Sequence, residues 1–447
     1  MHKTILIMLL IMISSNAWAE SFDEGVDAYK RKDYATALQI FRSVAAKNNS
    51  DAQFNLGIMY DNGQGVPQDF EVAVKWYRLA AEQDNAKAQL NLGVRYRNGQ
   101  GVSHNDEEAA KWYRKAAEQG NVSAQFNLGV MYGKGEGVPQ DHKEAVKWYR
   151  RSAKQGDVDA QLNLGTMYRN GLGVTQDNEE AVEWYRRAAD QGNASAQFNL
   201  GAMYRKKQGV PPDDKEAAKW YRMAAEQGNA RAQLSLGAMY AAGLGVAQND
   251  KSAFKWYRMA AEQGNSSAQF ALGAMYGMGL GVAQDYKAAV MWYQLAVKQG
   301  NASAQFNLGV MYEKGRGIPQ NDNEAVMWYR LAAEQGNASA QFNLGVMYGK
   351  GRGVPQDDEE AVKWYRLAAQ QGDADAQYYL GLRYQNGWGV PENLVKAHMW
   401  INLAKDSGNS LAMKMIDSLI GKMERKQISE SQKLMRDCLI VNFKGCD

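Results

Sequence analysis

The side chains able to do chemistry are few and scattered. Beyond the first nineteen positions the sequence holds three histidines, His104, His142 and His398, and two cysteines, Cys438 and Cys446. The histidines share no ligand spacing with one another or with the cysteines, so a zinc site is not expected. In an exported chain two neighbouring thiols form a disulfide more often than a metal or redox site; two free thiols are the alternative. Acidic residues are abundant but recur at intervals of 36, as caps and surface charges, and no pair breaks that period as glycoside hydrolysis would need. Gly-x-Gly recurs in nearly every interval, yet no strand precedes it and no Lys-Ser/Thr follows. It is turn chemistry, not a phosphate cradle. Nothing favours a Ser/His/Asp triad. No catalytic residue, metal ligand or cofactor is expected, and the chain reads as a non-enzyme.

A net charge of +3 excludes an electrostatic case for nucleic acid, and the densest basic run is only Arg205-Lys206-Lys207.

The period is the dominant fact. Ten tryptophans, from Trp76 and Trp112 to Trp364 and Trp400, stand 36 residues apart without interruption, so residues 50–409 divide into ten equal units. The unit Val122 to Asp157 shows why its residues recur. Asn121 is a good N-cap, which also explains the apparent glycosylation sequon Asn121-Val122-Ser123. Ala124, Leu128 and Tyr132 then fall on one helical face. Gly129 sits beside that face; mid-helix glycine costs about 1 kcal/mol against alanine, so its return in every unit implies close approach by another helix. Gly135 suits a left-handed C-cap. After a short loop in which Val138 can plug the core, Asp141 caps a second helix, with Ala145, Trp148, Tyr149 and Ala153 buried and Lys147, Arg150 and Arg151 outside. Glu144, three residues after Asp141 and one of six such glutamates among the ten units, predicts a capping box. One hairpin cannot bury both of its sides, so stability must belong to the stack.

These residues resemble the Sel-1-like repeat, a relative of the tetratricopeptide repeat. The pattern runs from Ala124-Gln-Phe-Asn-Leu128-Gly129 through Trp148-Tyr149 to Gly156, and covers about four fifths of the chain. The resemblance implies an all-α fold, a right-handed superhelical solenoid of antiparallel helix pairs with a concave inner surface. It further implies an adaptor, or an exported bacterial factor, that binds proteins; the partner, from the envelope or from a host, is not specified by the repeat.

Departures from the pattern carry information. Asp84 replaces a helix-ending glycine, and aspartate tolerates the left-handed region better than most residues. Lys207 replaces the glycine equivalent to Gly135, so the fifth loop should be strained or differently folded. In the last unit His398 stands where others have Val, Ala or Phe, and Ile401 replaces the Tyr after the Trp. The flanks read as caps. Residues 20–49, with Gly25, Tyr29, Tyr34, Ala37, Phe41 and Ala45, resemble one tetratricopeptide hairpin. In residues 410–447, Leu411, Met415, Leu419 and Met423 mark one amphipathic helix. Ser429 with Gln432 predicts a capping box opening another, with Leu434, Cys438 and Leu439.

Residues 1–19 differ in kind. Lys3 precedes an apolar run from Thr4 to Ile13, and Ala17-Trp18-Ala19 offers a cleavage site, so a signal peptide ending near Ala19 is expected. Ten apolar residues reach about 15 Å as a helix, half of a bilayer core; no membrane span is expected, and the mature chain should be periplasmic or secreted.

Two surface features are candidates for partner binding. The first is a row of mid-helix asparagines: Asn55, Asn91, Asn127, Asn163, Asn199, Asn307 and Asn343, interrupted by Ser235 and Ala271. They read either as amides on the concave wall that pair with a bound chain's backbone or as structural links between helices. The second is the residue between the two loop glycines: Leu172, Leu244, Leu280, Arg316, Arg352 and Trp388. These form either a rim for protein contact or packing against the next loop. A non-catalytic protein-binding scaffold is the favoured function. The alternative is binding or hydrolysis of cell-wall or glycan fragments in the superhelix groove, which a pocket lined by departures from the repeat would favour.

Overall fold

The computed structural model describes residues 22–441, 443 and 446, and the expected signal segment 1–19 lies outside them. Every regular element among the described residues is an α-helix. Two compact bodies divide the chain at Trp220/Tyr221, within the helix Asp214–Glu226. Within each body, helix pairs stack in chain order as an all-α solenoid.

The third unit shows the local logic. Its first helix, helix A, spans Val122–Lys134, and the Asn121 side chain accepts from the Ala124 N–H at 2.9 Å. The helix ends where Gly135 takes φ +76°, as the sequence predicts. Helix B spans His142–Lys154 and opens at Asp141, whose carboxylate accepts from the amides of Lys143 and Glu144. The expected capping box does not form here. The Asp141 N–H already donates to the Tyr132 carbonyl at 2.9 Å, which closes the hairpin. Glu144 therefore turns outward and accepts from Lys147 at 2.8 Å.

Packing follows the expected stripe with one shift. Ala124, Leu128 and Met131 are fully buried, whereas Tyr132 is half-buried. Tyr132 sits at the edge because its hydroxyl accepts from Arg114 of the preceding unit. Two glycines set how closely elements approach. A Cβ on Gly129 would lie 2.7 Å from the Tyr149 ring, so helix B leans its tyrosine against bare helix A backbone. A Cβ on Gly137 would lie 2.1 Å from the Asp106 carbonyl oxygen, so each loop rests on the first turn of the previous helix B.

A buried amide ladder, unremarked in the sequence, ties the stack together. Gln125 is buried; its Nε2 donates to the Ala117 carbonyl of the preceding helix B at 3.0 Å. Its Oε1 accepts from Gln155, at the end of its own helix B, at 2.8 Å. Gln89, Gln161, Gln269 and Gln341 repeat both bonds. A buried amide so satisfied gives directional registration between three helices, and a costly unpaired group if either partner is lost.

Asp84 and Lys207 both adopt positive φ, +59° and +58°. The fifth loop therefore keeps the left-handed turn of its neighbours despite lacking glycine.

The ends are closed as expected in outline and differently in detail. Residues 22–30 and Tyr34–Ala45 form the N-terminal hairpin, where Phe41 packs so close to Gly25 that a Cβ would stand 2.8 Å from its ring. At the other end a helix spans Ser410–Ile420, but its buried edge is Ala412, Ile416 and Leu419, with Leu411 exposed. The last helix spans Arg425–Ile440 and is capped at Glu424, five residues before the expected Ser429. Gln427 supplies its capping bond, accepting from the Glu424 N–H at 3.0 Å. Its inner edge is Ser431, Met435 and Cys438, while Leu434 and Leu439 face solvent. His398 is buried beneath this helix, its Nδ1 2.6 Å from the Ser431 hydroxyl. Burial first, and then Lys405, hold its pKa below the ordinary 6.5. Cys438 and Cys446 are joined, with Cα atoms 5.2 Å apart.

Candidate functional site

All seven candidate asparagines are half-buried on helix A. Asn307 donates to the Tyr293 hydroxyl of the preceding helix B at 3.1 Å. Asn91, Asn163 and Asn343 bond Tyr77, Tyr149 and Tyr329 in the same way. Burial pushes the Tyr149 hydroxyl up to about 12, with the Asn163 bond opposing it. The equivalent hydroxyls of Tyr113 and Tyr185 take Arg97 and Thr166 instead. Asn55 has Phe41, without a hydroxyl, at the corresponding place. At four positions the amide thus meets a buried hydroxyl of its own fold.

The loop candidates separate by chemistry. Leu172 in the first body, and Leu244, Leu280 and Trp388 in the second, are 37%, 36%, 39% and 50% exposed. The arginines have partners within the chain. Arg316 lies over the Tyr286 ring at 5.5 Å. Arg352 donates to Asp322 at 2.9 Å and to Glu313 at 3.0 Å. Glu313 also accepts from Tyr329 at 2.8 Å. Burial acts to raise the Glu313 pKa, but the bonds from Tyr329, Lys314 and Arg352 outweigh it and hold the carboxyl below its ordinary value.

A second polar network lies in the first body. Arg95 pairs with buried Asp61 at 2.8 Å, and Tyr77 donates to the same carboxylate oxygen at 3.1 Å. Burial raises the Asp61 pKa, against the Arg95 charge. Arg383 pairs likewise with Asp358, and its guanidinium lies 5.5 Å from the centre of the Trp388 ring. The sequence held one signal of these networks: Arg95 and Arg383 occupy the helix A position that is methionine in the other eight units, Met59 and Met131 among them.

Such an arrangement, a regular helical frame of stacked units with a few varied positions, defines a helical-repeat scaffold. The Sel1 repeat family pattern matches ten consecutive segments, 50–85, 86–121, 122–157, 158–193, 194–229, 230–265, 266–301, 302–337, 338–373 and 374–409. The chain belongs to the Sel1 repeat family. It is similar to the crystal structure of a protective antigen present in uropathogenic Escherichia coli strains and displaying an SLR fold. The two are 36% identical with a TM-score of 0.91, over 99% of this chain and 96% of that one. A Sel1 repeat protein from Oxalobacter formigenes is 38% identical with a TM-score of 0.56, over 69% of this chain and 89% of its own. No curated protein sequence matches.

Proposed function

We propose that the chain is an exported, non-catalytic scaffold that binds protein partners through the loop rim of its second body. The observation that carries this reading is the exposure of Leu244, Leu280 and Trp388 at one repeated loop position, between glycines that fix the backbone. Burying one leucine against a partner is worth about 1.5–3 kcal/mol, and tryptophan is among the residues enriched at interface hot spots. Arg316 and Arg352, already engaged within the chain, act as a polar surround. The asparagine row ranks second, since four of its amides serve the fold. Export is supported by the signal-like segment 1–19, by the joined cysteines, which suit an oxidising compartment, and by the similarity to a protective antigen. No helix among the described residues is long and apolar enough to cross a membrane.

The test compares the mature chain with a Leu244→Ser, Leu280→Ser, Trp388→Ser variant, each immobilised and exposed to envelope extract and to host secretions. A partner captured by the first, identified, and held at least tenfold more weakly by the variant supports the reading. Equal retention overturns it. Sequencing the N-terminus of the exported protein checks cleavage near Ala19.

A further inference from the structure

The outer face of helix B changes character along the chain. In units 2 to 4 the residue three positions after the tryptophan is a cation lying on the indole. Lys115 stands 4.5 Å from the centre of the Trp112 ring, Arg151 4.7 Å from Trp148 and Arg187 4.5 Å from Trp184. The residue just before the tryptophan is usually lysine, as at Lys111, Lys147, Lys219 and Lys255. Units 7 and 8 replace both. Met291 and Leu295 flank Trp292, and Met327 and Leu331 flank Trp328. Met291 and Met327 are 50% and 43% exposed where six other units place lysine, and beside Met327 stands Leu331, 39% exposed at a position that is also apolar in units 1, 5, 6, 9 and 10.

Unit 7 departs further in the same stretch. Gln294 stands where most units have Arg, Val297 where most have Ala, and Lys298 where most have Glu or Asp. Together with Met291, Leu295 and Trp328, these residues line one cavity of about 390 Å³. None of its lining residues is a carboxylate, which does not suit catalysis on a glycan.

The fold itself shows what covers such a face. In unit 10 the two equivalent positions are Met399 and Leu403, only 1% and 2% exposed. They belong to the helix Leu394–Asp406, against which the helix Arg425–Ile440 packs directly. That covering helix is amphipathic, presenting Ser431, Met435 and Cys438 at i, i+4 and i+7. Units 7 and 8 offer the same methionine and leucine pair, and among the described residues no further helix is laid over it as over unit 10. Methionine-rich faces adapt to apolar partners, and a stripe at this spacing is read by a helix laid along it.

We propose that the helix B face of units 7 and 8 docks an amphipathic α-helix of a partner protein. Apolar residues at i, i+4 and i+7 sit over Met291, Leu295, Met327 and Leu331, and an acidic residue meets Lys298. This surface is separate from the loop rim, and either can fail without the other.

The test uses labelled eighteen-residue helical peptides carrying that apolar stripe, flanked by glutamate or by lysine, titrated against the mature chain. Binding is followed by anisotropy and by peptide helicity. The glutamate-flanked peptide should bind saturably, gain helicity and outbind the lysine-flanked one. Met291→Lys, Leu295→Arg, Met327→Lys and Leu331→Arg together should weaken it at least tenfold. This variant folds by design, since Lys147 and Arg151 already occupy these positions in unit 3. The loop-rim variant should bind the peptide as the parent does. Equal binding to the quadruple variant, equal binding of a proline-interrupted peptide, or no binding at millimolar concentration would overturn the proposal. So would concentration-dependent self-association abolished by the quadruple variant, which would assign the face to a second copy of the chain.

Discussion

Replacing Lys207 with glycine isolates the cost of a single backbone conformation. Lys207 holds φ +58°, while glycines at the nine equivalent positions hold φ between +63° and +76°. Its side chain is exposed, so the change acts on the backbone alone. A non-glycine residue in the left-handed region carries about 1–2 kcal/mol. Glycine loses more conformational freedom on folding, at roughly 0.5–1 kcal/mol. The difference leaves a net stabilisation of about 0.5–1 kcal/mol, equivalent to a roughly two- to fivefold rarer local opening. Global denaturation dilutes so local an effect in a stacked array. Amide exchange of residues 203–208 reads it directly, with Lys207→Ala as the control that keeps the strain. Unchanged or faster exchange in Lys207→Gly would refute the strain argument and show that the lysine side chain stabilises this loop.

Other expectations follow from the same contacts. Gly137→Ala should cost at least about 2 kcal/mol, because strain at φ +65° is joined by overlap with the Asp106 carbonyl. Gly156→Ala, with φ +97° and nothing within 4 Å of the new Cβ, should cost about 1 kcal/mol or less; equal midpoints for the two would contradict the close-approach account. Asn91→Ala, Asn163→Ala and Asn343→Ala together should destabilise the chain by about 1 kcal/mol per lost tyrosine bond. An unchanged thermal midpoint with lost partner binding would return the asparagines to a binding role. His398 is held neutral in the fold with a pKa below 6.5, so it takes up a proton more readily when unfolded. Its contribution is complete above about pH 6.5 and is lost as pH falls from there through the folded value. The protection of residues 425–440, corrected for the intrinsic pH dependence of amide exchange, should therefore fall between pH 7.5 and 5, and His398→Val, the residue of units 7 and 8, should remove that dependence. A wild-type profile that stays flat would refute it.

Much of this was legible because repetition turns a local rule into a test made ten times. The caps at Asn121 and Asp141, the left-handed Gly135 and the close approach at Gly129 all follow from residue chemistry at fixed offsets. What escaped depends on partners one unit away. Glu144 looks like half of a capping box until the Tyr132 carbonyl takes the Asp141 amide. Arg150 looks free on the outer face until the Tyr168 hydroxyl of the next unit accepts from it at 2.7 Å. The Gln125 ladder was open to view, since a glutamine beside the buried alanine recurs in all ten units. The asparagine row beside it stands out in the sequence instead because asparagine is unfavourable in a helix interior. The C-terminal helices lack a period, so the first buries Ala412 where Leu411 is expected, and the last is capped at Glu424, five residues before Ser429.

Units that depend only on their neighbours can be removed one at a time without harm to the fold or to a binding surface built elsewhere. Deleting residues 158–193, one whole unit, tests it most directly by circular dichroism and thermal unfolding of the mature chain. A folded, shorter array is expected, with helical signal per residue unchanged and the partner that engages Leu244, Leu280 and Trp388 still bound. Collapse of helicity, or loss of that binding from a deletion outside the second body, would contradict it.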